Sequence, residues 1–143
     1  MITFFVSGRP APQGSKTFKG VRGGRGILIE SSKDVGPWRE RIALTAHSHA
    51  ERLLDGPVTV RLDFVMPRPK SAPKRTTPPA VKRPDTDKLA RACLDALTGI
   101  CYVDDSQVTD LHATKRLAQL DETPGVHITV TNGSASHRPQ EDQ

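Results

Sequence analysis

A chain of 143 residues can bury one real core but not two, and a hydrophobic fraction of 35% leaves part of its length for loops and tail. Lysine and arginine outnumber aspartate and glutamate by 21 to 16, giving a formal charge of +5 and a pI near 9.6, a balance that attracts nucleic acid or another polyanion. No run approaches the roughly 18 apolar residues of a membrane helix, the N-terminus lacks the basic and apolar regions of a signal peptide, and Cys93 and Cys101 fit neither a zinc spacing nor a secreted disulfide framework. The expectation is a cytoplasmic, nucleoid-associated protein with two buried, reduced thiols and no membrane partner.

Ile2 to Gly8 reads as the first strand. A flexible loop near residues 9–26 follows, mixing glycine with positive charge. Lys16, Lys19, Arg22 and Arg25 are its candidate phosphate contacts. Ile27 to Glu30 reads as a short second strand in a loose hairpin. Pro37 suits the first turn of a helix, and Trp38, Ile42, Ala46 and His49 then recur at helical spacing until Gly56-Pro57 breaks the run.

Val58, Val60, Leu62, Phe64 and Met66 alternate with Thr59, Arg61, Asp63 and Val65, the period of a half-buried strand. Residues 68–84 break every pattern: they carry six basic residues, five prolines and no acid. Such a segment builds no core and reads as a mobile or extended cationic arm, with Lys74, Arg75, Lys82 and Arg83 as candidate DNA contacts. A second helix over about Asp85 to Thr98 buries Leu89, Ala92, Cys93, Ala96 and Leu97, and Gly99 closes it. Gln107 to Lys115 and the region of Val126, Ile128 and Val130 supply the last two strands. Residues 1–131 thus form one α/β (α+β) domain of order β-β-α-β-α-β-β, a mixed sheet covered by two helices; residues 132–143 are a polar, disordered tail. The histidines lie apart on different faces and serve surface or packing roles.

The informative feature is a pair of acidic clusters in this basic chain. Arg83-Pro84-Asp85-Thr86-Asp87-Lys88-Leu89 opens the second helix, and Tyr102-Val103-Asp104-Asp105-Ser106-Gln107-Val108 follows it. Two readings stand side by side. Asp85 is an N-cap and Asp87 a surface acid that complements the helix dipole, or both are oxygen ligands for a hard cation such as Mg²⁺. Residues two apart on a continuous helix diverge by about 200°. Pro84 fixes the entry of the chain, so that Asp85 sits at the N-cap and Asp87 in the first turn, where the two can converge. A helix of about 14 residues is roughly 21 Å long and leaves Asp104 and Asp105 at its far end. Spacing alone does not bring the clusters together.

The run from Arg83 to Gly99, followed by Tyr102 to Val108 and Lys115, resembles the signature of the RusA family of Holliday junction resolvases, and Gly8-Arg9-Pro10-Ala11-Pro12-Gln13-Gly14-Ser15-Lys16 resembles the opening of phage-type members. The resemblance implies that Asp85, Asp87 and Asp105 are catalytic, metal-binding aspartates, with Asp104, Lys88 and Lys115 in support. It implies Mg²⁺, with Mn²⁺ able to substitute, as cofactor of an endodeoxyribonuclease. A homodimer making paired symmetric nicks in a four-way junction, in DNA recombination and repair, completes the expectation. Two positions depart from the family pattern: Lys88 replaces an asparagine, and Arg91 replaces the catalytic lysine. Arginine keeps the charge but not the titratable amine, so Arg91 is expected to stabilise charge on the phosphate. The alternatives are a non-catalytic branched-DNA-binding protein of the same fold, and a nuclease for other branched DNA.

Overall fold

The structure is a computed structural model that describes residues 1–14, 16–22, 25–30 and 33–133, the stretch between 16 and 30 in its strand backbone only. Six strands and two helices follow in the order β1 (Ile2–Ser7), β2 (Lys16–Arg22), β3 (Arg25–Glu30), α1 (Val35–His49), β4 (Val58–Met66), α2 (Thr86–Leu97), β5 (Val108–Leu117) and β6 (Gly125–Asn132). The expected α+β domain with a mixed sheet is the one observed. Four strands make that sheet in the order β1-β6-β4-β5; β6 runs antiparallel to both neighbours, and β4 and β5 are parallel.

A parallel pair requires a crossover, and α2 is that crossover. Alternation along β4 sends Val58, Val60, Leu62, Phe64 and Met66 into the core, where they meet Phe4 and Val6 of β1 and Val126, Ile128 and Val130 of β6. Trp38, Ile42 and Ala46 of α1 and Leu89, Cys93 and Leu97 of α2 close this core from above. The other sheet face is polar and open: Thr3 hydrogen-bonds Thr129 at 3.1 Å, and Asp63 accepts from the Thr114 hydroxyl at 2.5 Å and the Arg61 guanidinium at 2.9 Å.

Gly8, at φ +137, leads out of β1 directly over the indole of Trp38, where an added Cβ would sit 3.0 Å from the ring. Both cysteines are buried and free, and burial pushes their thiols up, Cys101 to about 11, so both stay protonated and inert. Among the histidines described, His49 stacks on Phe4 at 5.2 Å and His127 lies tilted against Phe5 at 4.6 Å, in the packing role expected.

The first basic loop is a correction. Lys16 to Arg22 is a strand, paired antiparallel with β3 from Lys16↔Glu30 to Arg22↔Arg25. Ile27 to Glu30 therefore pairs with this strand and not with β1, whose register is taken by β6. Backbone donors and acceptors of β3 need a neighbour, and a register shift between Phe18 and Val21 accommodates Gly20 as a bulge. The side chains of Lys16, Lys19, Arg22 and Arg25 lie outside the described residues, as does the tail from residue 134 onward.

The β5–β6 connection is clipped by Glu122, which accepts two hydrogen bonds from Arg116, at 2.7 and 2.6 Å, and one from the Gln119 backbone at 2.8 Å. The Arg116 bonds lower the Glu122 carboxyl from 4.5 to about 2. Because the folded value lies below the unfolded one, the stabilisation is complete above pH 4.5 and fades as pH falls toward about 2. Denaturant unfolding of Glu122→Gln should therefore show a loss of stability against the native chain at neutral pH, with the two curves converging through that acidic window.

Candidate functional site

Asp85 occupies the N-cap of α2 with extended backbone, as the sequence predicts, yet its carboxylate makes no cap hydrogen bond. An N-cap aspartate ordinarily accepts from the second or third helical N–H. Here the group turns outward, 56% exposed, with the Lys88 ammonium 3.7 Å away. Asp87 sits in the first turn, exposed, where the helix dipole favours its charge. Arg91, one turn further, is exposed as well. The ladder Asp87–Arg91–Asp95 contains no ion pair; Asp95 instead accepts from the Gln13 side chain at 2.8 Å.

The lead into this helix is held from the sheet. Lys115, near the end of β5, donates its ammonium to the Lys82 carbonyl at 2.8 Å and to the Pro84 carbonyl at 2.7 Å. The Arg83–Pro84 peptide bond is cis. Fixing the Pro84 carbonyl fixes the peptide plane from which Asp85 departs, so Lys115 supports the acidic pair through the backbone. From the other side Gln13 donates its backbone N–H to the Lys88 carbonyl at 3.0 Å, and its side-chain oxygen accepts from Arg39. A cleft of about 610 Å³ opens between these supports, lined by Arg9, Gly14, Asp34, Arg83, Asp85 and Lys88 among others.

The second cluster is built by a different device. Tyr102 is fully buried, bonds the Leu94 carbonyl at 2.9 Å and bridges both Leu54 and Thr98. A short 3-10 turn, Asp105–Gln107, then leads into β5. Asp104 caps it, accepting from the Ser106 backbone at 2.9 Å, and hydrogen bonding from the Ser106 side chain and backbone holds its carboxyl below the usual range. Gln107 completes a capping box: its oxygen accepts from the Val103 and Asp104 N–H groups at 2.8 and 3.1 Å, while its amide donates to the Leu54 and Gly56 carbonyls at 2.9 Å each. With Asp104 consumed in capping, Asp105 is left exposed. Burial, with a smaller contribution from the Asp105 charge, raises the Tyr102 phenol.

The two clusters do not meet within one chain. Among the described residues no group of three His, Cys, Asp or Glu side chains is placed to hold a metal ion. Lys115, at the far end of β5, touches the chain before Asp85, whereas Asp105 precedes the near end. The twelve residues of α2 separate them by about 18 Å. Asp85 and Asp87 thus lie at the end where Arg9, Lys82, Arg83, Lys88 and Lys115 gather, and Asp105 lies at the opposite end.

The family model for Endodeoxyribonuclease RusA matches residues 7–131, from the last residue of β1 to the penultimate residue of β6. The chain belongs to the RusA endodeoxyribonuclease family. It is also 32% identical over 145 residues to a protein of Bacillus subtilis (strain 168) named Uncharacterized protein YqaN, a match that covers 94% of this chain and 98% of that protein. Membership in the RusA family supports nuclease activity on branched DNA. No helix among the described residues is long and apolar enough to cross a membrane.

Sequence reasoning located both motifs but left Gln107 and Gln13 without roles. The first is the anchor of the Asp-Asp-x-Gln turn, with four hydrogen bonds; the second buttresses α2 at Lys88 and Asp95. A polar residue two positions after an acidic pair, at the start of an expected strand, was the available signal for Gln107. Replacing it with leucine leaves those backbone groups unpaired, so Gln107→Leu should cost about 1–3 kcal/mol in chemical denaturation; Gln107→Glu, which keeps the acceptor but turns a carboxylate oxygen toward the Leu54 and Gly56 carbonyls, should not restore the loss.

Proposed function

We propose that the protein is a divalent-metal-dependent nuclease that resolves four-way DNA junctions as a homodimer, with each active site built from both subunits. The observation that carries this reading is the pair of unengaged half-sites at opposite ends of α2. In a two-fold dimer the Asp85–Asp87 end of one subunit meets the Asp105 end of the other, twice over, and two equivalent sites result. Charge favours this pairing, because the first end carries Arg9, Lys82, Arg83 and Lys88 and the second carries Asp55, Asp104, Asp105 and Asp110.

The donor set suits a hard cation, Mg²⁺ with Mn²⁺ as substitute. Asp85 is free of its capping role, and Asp104 relieves Asp105 of its own. The residues that would hold the ion are Asp85 and Asp87 of one subunit and Asp105 of the partner subunit. When bound, the ion supplies an activated water and neutralises the leaving 3′ oxygen. The chain's own contribution is electrostatic and positional. Arg91 and Lys88, on the first two turns of α2, offset the charge that develops on the phosphate oxygens. Lys115 and Gln13 hold that turn in place from two sides. Lys70, Lys74 and Arg75 of the arm, and the β2–β3 hairpin with Lys16, Lys19, Arg22 and Arg25, engage the DNA backbone. Two symmetric nicks leave 5′-phosphate and 3′-hydroxyl ends that a ligase can seal, which fits a role in recombination and repair.

Cleavage of a mobile four-way junction in Mg²⁺ tests the reading. Asp87→Asn and Asp105→Asn should each abolish nicking while junction binding in chelator persists, and Arg91→Lys should keep or raise the rate. Nicking by both aspartate variants at the native rate would refute the assignment; binding by the native chain with no nicking at all would select a non-catalytic junction-binding protein.

A further inference from the structure

Two cations fold the proline-rich arm, residues 67–84, back onto the body of the domain. The Arg68 guanidinium donates to the Thr77 hydroxyl at 2.9 Å, to the Ala118 carbonyl at 3.1 Å and to the carbonyls of Pro73 and Thr76. Lys115 holds the other end at Lys82 and Pro84. The arm is therefore a built arch, where its composition predicts a mobile or extended cationic arm.

Beneath the arch lies a cavity of about 500 Å³, walled by Met66, Leu117, Ala72, Pro78, Ala80 and Val81. Its size falls within the roughly 300–1,000 Å³ of small-molecule sites. Met66 and Leu117 form an apolar floor from the ends of β4 and β5, and Val81 stands 81% exposed at the wall. Arg9, Arg83 and Pro84 line this cavity and also line the cleft that holds Asp85 and Lys88. An apolar chamber and a charged one thus share a wall, and the shared wall carries two guanidinium groups.

A nucleotide has the same division: a charged phosphodiester beside a flat base with apolar faces. We propose that the apolar cavity receives one unstacked base of the bound junction, next to the phosphate that enters the Asp85 cleft. The proposal rests on the nuclease reading above and adds a base-binding subsite to it. The occupant is a base of the DNA strand being cut, because Arg9, Lys82 and Arg83 along the rim match the phosphates that must flank such a base. Enzymes that act at a distorted point of DNA commonly pay for unstacking by sandwiching the released base between apolar side chains. The central bases of a four-way junction, already interrupted in their stacking, are the least costly to release.

The experiment uses the full chain in chelator, where no cleavage occurs, with four-way junctions carrying 2-aminopurine at successive positions around the crossover. Native protein should raise the fluorescence several-fold at one position beside the crossover. Ala72→Trp, which fills the cavity, and Val81→Asn, at an exposed place in its wall, should return that signal toward the free-junction level while junction affinity stays close to native. Circular dichroism melting confirms that each variant is folded, and the exposed Val81 position keeps the test decisive should Ala72→Trp not fold. A signal unchanged in the folded variants, no rise at any position on bound native protein, or lost affinity with the signal per bound junction intact would each overturn the pocket while leaving the nuclease reading standing. Failure of the native protein to bind the junction at all would remove both.

Discussion

The length of one helix governs the chemistry available to this chain. α2 is the crossover between two parallel strands, so its start and its end are obliged to lie at opposite ends of those strands. Both acidic clusters are tied to those ends, one at its N-cap and one in the turn after it, about 18 Å apart along a rigid rod. Neither cluster can be brought to the other by a rotamer change, because Leu89, Cys93 and Leu97 are wholly buried against the sheet along the intervening face. A single copy therefore keeps its two acidic clusters apart.

Cations are used here in two ways that composition alone does not separate. Arg68 and Lys115 turn inward and spend their donors on backbone carbonyls, the first to close the arm and the second to fix the approach to Asp85. Such charge-assisted bonds are stronger than neutral ones and need no acid partner. Lys74, Arg75, Lys82 and Arg83 remain exposed. The absence of any acid from residues 68–84, which suggested a mobile or extended cationic arm, equally suits an arch held by its own carbonyls.

Much of this was legible in the residues. The strict alternation of β4, the bounds of α2 and the packing of Cys93 in its buried face follow from period and from Pro84 and Gly99 as punctuation. The β2 strand was hidden because three basic residues and Gly20 mask its alternation, and only the demand of β3 for a neighbour exposes it. The two aspartates of the pair look equivalent in sequence, yet one is spent on a capping box and the other is left free; that distinction arises from the direction in which Gln107 reaches, to Leu54 and Gly56, which no local pattern specifies. The location of Asp85 was readable from Pro84, whereas its release from capping was not.

Subunit mixing tests the shared-site arrangement most directly. A dimer with Asp87→Asn in one subunit and Asp105→Asn in the other has one site with both defects and one with none, provided that each site draws on both chains. Junction nicking should then reappear when the two inactive variants are co-expressed or exchanged, at up to the rate of a single native site. If the mixed dimers form, as shown by co-purification through distinct tags, and remain as inactive as either parent, each site belongs to a single chain and the account is wrong.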